Sequence, residues 1–146
     1  MLVVTLRPPF GPDDTYWKMW KAVWTPDLGG VLNIEQDIDG GVNRELPDCP
    51  HDWCAKPYPY LDRERQFGLG YVKFSAALIS RHPDLWDVIG RWSNPQHPPR
   101  HWCTLDAFSY AYLTSHGEQR HEAHTSVLHA GHPGAKSSAH GCFQIP

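Results

Sequence analysis

The first 35 residues change their hydrophobic period twice, and that change restricts the fold more than any other feature of the chain. Leu2-Val3-Val4-Thr5-Leu6 is a short, β-branched apolar run stopped by Pro8-Pro9 and Gly11-Pro12, which reads as a buried strand followed by a loop. Asp13 or Asp14 can cap a helix whose inner face is Tyr16 or Trp17, Met19-Trp20 and Val23-Trp24, recurring at three- and four-residue spacing. Pro26 and Gly29-Gly30 end that helix, and Val31-Leu32-Asn33-Ile34 forms a second strand. Strand, helix and strand in about 35 residues have the length of a βαβ unit, whose strands lie parallel.

A βαβ opening predicts an α/β domain with a mainly parallel central sheet and flanking helices. At 146 residues the chain can bury one core and not two, so a single domain is expected over residues 1–133, with 134–146 as a tail of little core-forming capacity. A formal charge of −3 supplies no basic field for sequence-independent binding to nucleic acid. No apolar run reaches the ~20 residues that span a bilayer, and Met1–Leu6 is too short for a signal peptide, so a cytoplasmic protein without membrane contact is expected.

Beyond the second strand, residues 44–62 mix prolines, cysteines and aromatics without either period and read as ordered but irregular. Phe67-Gly68-Leu69-Gly70 introduces a helical stretch running through Phe74 and Leu78 to Ser80, and His82-Pro83 opens another with Leu85-Trp86 and Ile89 inward. Thr104 can cap a helix from Leu105 to Ser115, for which Gly117 suits a left-handed stop.

Acidic residues begin where the second strand ends. In open α/β sheets ligands gather beyond the carboxyl ends of strands, and Glu35 and Asp37, two positions apart on extended chain, point to one face where hard oxygens suit Mg²⁺ or Mn²⁺. The bland alternative is a solvated turn, since Asp39-Gly40-Gly41 follows. Asp106 in a first helical turn is held ionised by the helix end, as a base requires, although the same placement also serves the helix alone.

Four features taken in order resemble the GT-A-fold glycosyltransferases, the nucleotide-diphospho-sugar transferases. Glu35-Gln36-Asp37 looks like their Asp-x-Asp-type motif, Phe67-Gly68-Leu69-Gly70 like their glycine loop, Leu105-Asp106 like their base position, and Val127-Leu128-His129 like the strand ending in a histidine ligand. The resemblance spans roughly Val31 to His132. It implies a truncated GT-A-like, Rossmann-like fold and metal-dependent inverting transfer from a nucleotide-diphosphate sugar to a hydroxyl acceptor that the sequence leaves unidentified. It further implies Asp37 and His129 as ligands of Mn²⁺ (or Mg²⁺), with His124 and His132 competing for the histidine role. Glu35 would bind both cation and donor, Gly68 and Gly70 would let the donor approach the backbone, and Asp106 would be the base. Arg7, beyond the first strand, is a candidate for the nucleotide phosphates. Family members place a far longer nucleotide-binding stretch before the metal motif than the 34 residues that precede Glu35, which leaves open a degenerate version, an inactive one, or one completed by a second copy in a homodimer.

The cysteines carry a separate reading. Cys49-Pro50-His51-Asp52-Trp53-Cys54 sets two thiols around an imidazole, and Cys103 or His101 is a candidate to complete a structural zinc site; otherwise the thiols are expected reduced and packed. His121-x-x-His124 and His129-x-x-His132 are further ligand pairs, without the His-Glu-x-x-His of metalloproteases. A metal-dependent hydrolase and a non-catalytic nucleotide-binding module are the competing classes. Trp53 and Trp102, outside the helical spacing, are candidates to stack on a ligand.

Overall fold

The computed structural model describes residues 1–6, 12–35, 38–39, 46–56, 58–60, 63–65, 68–123, 128–129 and 145–146. Its opening is the βαβ unit: β1 (Leu2–Leu6), α1 (Thr15–Val23) and β2 (Val31–Glu35), with β1 and β2 parallel in the register Leu2↔Val31 to Leu6↔Glu35. A 3-10 turn at Pro26–Leu28 lies between α1 and β2, closed by Gly29 at φ 73°. Gly30 follows at φ 107°, and a Cβ there would stand 2.7 Å from the Phe74 carbonyl oxygen, so the close approach of the two backbones requires glycine.

The remaining described elements are β3 (Ile38–Asp39), β4 (Trp53–Ala55), β5 (Tyr58–Tyr60), β6 (Arg63–Arg65), β7 (Tyr71–Phe74), α2 (Ala76–Arg81), α3 (Leu85–Ile89), α4 (Leu105–Ser115), β8 (His121–Glu122) and β9 (Leu128–His129). Five strands form the main sheet in the order β1-β2-β7-β4-β8. β7 lies antiparallel to both β2 and β4, while β8 lies parallel to β4. Two short antiparallel pairs, β3 with β9 and β5 with β6, complete the strands. The chain is therefore an α/β domain with a mixed sheet, and the mainly parallel arrangement expected from the βαβ opening is corrected by β7.

That strand occupies Tyr71-Val72-Lys73-Phe74, which the sequence reading assigned to a helix. A four-residue segment carries too little periodicity to separate the two, and the helix starts only after Ser75, whose hydroxyl accepts from the Leu78 N–H. The segment read as irregular likewise contains β4, central enough that Trp53, Cys54 and Ala55 are all buried.

Alternation along the strands separates two cores. Val31, Trp53, Ala55, Val72 and Phe74 face the helices, where they join Trp17, Trp20, Trp24, Trp86, Leu105 and Phe108 in the larger cluster. Leu32, Ile34, Cys54 and Tyr71 point to the opposite face and meet Leu46 and Ala123. On the helix side the α1 tryptophans dock α1 by both surface and hydrogen bond. Trp20 stacks on Trp86 at 5.2 Å between ring centroids, while the indole N–H groups of Trp17 and Trp24 donate to the carbonyls of Trp86 and His82, each at 2.7 Å. Among the described residues, no helix is long and apolar enough to cross a membrane.

Candidate functional site

The carboxyl end of β2 is tied to the start of α4 through the glycine-bearing segment between them. Glu35, the last residue of β2, donates its backbone N–H to the Gly70 carbonyl at 2.8 Å. Next to Gly70, the Leu69 N–H donates to the Asp106 carboxylate at 3.4 Å, a long bond that nonetheless places the first turn of α4 against that segment. Glu35 and Asp106 are both buried, at 9% and 6% exposure. Burying two carboxylates is costly without donors, and the structure supplies them from the Leu69 backbone and from Tyr16, which the helical spacing assigns to the packed face of α1.

Tyr16 of α1 donates its hydroxyl to Glu35 Oε1 at 2.6 Å. Asn33, two residues before Glu35 and on the same strand face, donates from Nδ2 to the Leu69 carbonyl at 2.7 Å and to the Tyr16 oxygen at 3.3 Å. Asn33 is fully buried, yet its Oδ1 has no hydrogen-bond partner among the described residues. An orphaned buried amide oxygen is an uncommon feature that calls for an explanation, and here it lies in the same network as Glu35. One signal was available in the sequence: a carboxamide in the middle of Val-Leu-Asn-Ile cannot be buried without a polar purpose.

The other positions selected from sequence divide as follows. Gly68 and Gly70 are buried beside this network. The backbone of His129 pairs with Ile38, three residues beyond Glu35, which brings β9 to the chain leaving β2. Arg7, Asp37, His124 and His132 lie outside the described residues. Trp53 is not a ligand platform: it is 3% exposed, stacked on Phe74 and edge-on to Tyr110. A cavity of about 400 Å³ lined by Tyr110, Thr114, Glu118, Gln119, Arg120 and Glu122 sits toward the other end of α4 and includes none of the selected residues.

The cysteines are oxidised, which corrects the expectation of reduced thiols. Cys49 and Cys54 form a disulfide with Cα atoms 6.8 Å apart, and Cys103 is also disulfide-bonded. The expected zinc partners are displaced as well. His121, rather than His101 or Cys103, stands beside Cys49 and Cys54, while His97, His101 and Cys103 form a separate group. In that second group the imidazoles of His97 and His101 stack at 4.3 Å, and burial, with the charge of His97, pushes His101 below its ordinary pKa against the pull of Asp13.

A charged network closes the far side of the helical layer. Arg81 at the end of α2 holds Glu118 through Nε and Nη2 at 2.8 and 2.9 Å and reaches Asp52 at 2.8 Å. His82 Nε2 lies 2.7 Å from Glu118, and Ser75 donates to Asp52 at 2.6 Å. The guanidinium of Arg81 holds Glu118 below the usual carboxylate range, and Ser75 and Arg81 do the same for Asp52. These groups are consumed by one another and serve to fasten α2 to β4 and the segment after α4.

No family model matches the chain, and neither the curated proteins nor the solved structures compared with it contain a match.

Proposed function

We propose that the chain is a metal-dependent glycosyltransferase that moves a sugar from a nucleotide-diphosphate donor to a hydroxyl acceptor with inversion. The observation that carries this reading is the junction at the carboxyl end of β2. The acidic strand end, the glycine-bearing segment and the acidic helix start are joined by the bonds from Glu35 N–H to Gly70 and from Leu69 N–H to Asp106. The pairing of Ile38 with His129 supports it by bringing the late histidine strand to the same exit of the sheet.

The chemistry of the donor set fits Mn²⁺ or Mg²⁺. Hard oxygens on β2 come from the Glu35 carboxylate and from Asn33 Oδ1, which has no partner among the described residues. Asp37 and His129 are the further ligands that the GT-A resemblance implies, and an imidazole in the shell favours manganese. When bound, such a cation neutralises charge gathering on a departing nucleotide diphosphate, worth several kcal/mol of transition-state stabilisation. Tyr16 would fix the orientation of Glu35, and Gly68 and Gly70 would let the donor lie close to the backbone. Asp106 would accept the proton of the acceptor hydroxyl as that oxygen attacks the anomeric carbon. The bond from that carbon to the diphosphate oxygen breaks, its electron pair leaves with the nucleotide, and configuration inverts.

Calorimetric titration of nucleoside diphosphates with and without Mn²⁺ tests the reading. Binding should require the cation, fall in Asp37→Ala, and persist in Asp106→Asn while transfer is lost. Release of the sugar to water by the parent would instead make the protein a hydrolase on the same cation site. Cation-independent binding that is indifferent to Asp37 would leave no basis for either enzyme.

A further inference from the structure

The face of the sheet turned away from Glu35 carries a second chemical cluster. Cys54 on β4 points into the smaller core, and the parallel register Cys54↔His121 sets an imidazole beside it on the neighbouring strand. Residues directly abreast in a parallel pair face the same side, so this placement follows from β4–β8 pairing, which the bond from Ala123 N–H to the Ala55 carbonyl at 2.8 Å extends. The turn before β4 returns Cys49 over the same spot. Its Sγ lies 3.3 Å from His121 Nδ1, and the His51 ring stacks on that of His121 at 4.1 Å and 20°.

We infer that Cys49, Cys54 and His121 form a zinc(II) site that becomes available when the disulfide is reduced. The ligand atoms of the three residues all lie within 4.8 Å of one another. An edge of a tetrahedron built from a zinc–sulfur bond of ~2.3 Å and a zinc–nitrogen bond of ~2.0 Å is about 3.5 Å, and the Cys49–His121 separation of 3.3 Å already approaches it. Two thiolates and a neutral imidazole are a soft donor set that selects zinc over the hard cations suited to the opposite face of the sheet. His51, whose ring stacks on that of His121, is exposed.

The frame around the sulfurs does not depend on the bond between them. Lys73, abreast of Cys54 on β7, is 6% exposed and donates its ammonium to the carbonyls of Cys49 at 2.5 Å and His51 at 2.8 Å. The turn keeps its own bond from Cys49 N–H to the Leu46 carbonyl at 3.2 Å. Because the Cys49–Cys54 disulfide spans only five positions, its own opening releases little chain entropy.

The conversion balances with a dithiol as reductant. The dithiol gives two electrons and two protons to the Cys49–Cys54 bond and leaves as its own disulfide. The two new thiols then lose two protons to solvent as zinc(II) binds, and His121 supplies the Nδ1 lone pair with its proton on Nε2. The outcome is a neutral zinc dithiolate core where the oxidised chain holds a disulfide.

The test uses the full chain, reduced under anaerobic conditions and titrated with cobalt(II) as a spectroscopic probe for zinc. The reduced parent should bind one equivalent, with a thiolate-to-cobalt charge-transfer band and tetrahedral ligand-field bands that zinc(II) erases; the oxidised parent should give neither. Cys49→Ser with Cys54→Ser should abolish the bands, and His121→Ala should weaken binding by more than roughly tenfold, the lower range for disturbing even an outer partner of a metal ligand. Bands that survive the double substitution would place cobalt at the His97, His101 and Cys103 group and overturn the inference, as would reduced parent protein that gives no thiolate band. A second readout needs no variant: zinc(II) added to the reduced parent should protect Cys49 and Cys54 from alkylation, located by mass spectrometry. Equal alkylation with and without zinc would likewise refute the site. None of these outcomes depends on glycosyl transfer or on Asp37.

Discussion

Replacing Tyr16 by Phe removes one oxygen and leaves the ring that packs against Trp20, with centroids 6.2 Å apart. That oxygen donates to a buried carboxylate at 2.6 Å and accepts from a buried amide at 3.3 Å. A hydrogen bond to a charged group contributes about 1.5–3 kcal/mol, and the longer amide bond about 0.5–1 kcal/mol. Asn33 keeps its bond to the Leu69 carbonyl, so the loss falls mainly on Glu35, and Tyr16→Phe should destabilise the fold by about 2–3 kcal/mol. Burial of both partners removes solvent screening as a reason to discount that figure. Glu35→Gln keeps an acceptor but removes the charge, leaving Tyr16 a neutral bond of about 1 kcal/mol. The double variant should therefore show a coupling of about 1 kcal/mol between the two changes, beyond the ~0.3–0.5 kcal/mol scatter of independent sites. Urea unfolding of the four proteins, monitored by tryptophan fluorescence and far-UV circular dichroism together, measures the cycle. A single-variant loss below about 0.5 kcal/mol, or costs that simply add, would refute the assignment of Tyr16 as the donor that holds Glu35.

Gly90→Ala would put a Cβ 2.6 Å from Trp17 Nε1 and 2.7 Å from the Trp86 carbonyl oxygen, the two ends of the bond that docks α1. The usual helix gain from alanine should be reversed to a loss of about 2–4 kcal/mol in urea unfolding, and a neutral or stabilised variant would count against this packing. Trp20→Ala should lose about 3–5 kcal/mol, whereas Trp20→Phe should lose far less because the Trp20 indole N–H is buried without a partner among the described residues; equal losses would contradict that difference. The carboxyl of Glu118 is held low in the folded chain, so its contribution is fully present above the ordinary glutamate pKa of about 4.3 and disappears as pH falls through the lower folded value. Glu118→Gln should therefore lower stability at neutral pH by about 1–2 kcal/mol, discounted because Arg81 is 44% exposed, and flatten the acid limb of a stability-against-pH curve. An unchanged acid limb would show that the Arg81 contact contributes no stability.

The βαβ opening was readable because its three segments each carry a distinct period and sharp stops. The end of β2 and the start of α4 were readable for the same reason, and Glu35 and Asp106 lie at those boundaries. What escaped were strands too short to have a period, Trp53–Ala55 and Tyr71–Phe74, and with them the antiparallel half of the sheet. Tyr16 escaped for another reason: in a helix of alternating aromatics, spacing identifies the buried face but not which ring carries a polar end to a carboxylate nineteen positions away. The disulfide was hidden because four cysteines allow three pairings, and choosing among them requires knowing that the turn at Leu46–Cys49 folds back over β4.

Strand parity links the two candidate sites although they occupy opposite faces. On β2, Asn33 turns toward the helices and into the Glu35 network, while Leu32 and Ile34 join the core that contains Cys54. On β7, Val72 and Phe74 continue the helix-facing core, and Lys73 between them reaches the Cys49 turn. A one-residue slip of β7 against β2 would exchange these sets, sending the Lys73 ammonium into the tryptophan core and removing its two carbonyl partners at Cys49 and His51. The cost of burying that charge unpaired pins the register more firmly than the apolar residues can, since both faces are apolar and either would accept Val72. The same lysine that steadies the cysteine turn thereby keeps β7 in step with β2, and with it the Gly70 carbonyl opposite the Glu35 N–H on which the carboxylate site depends.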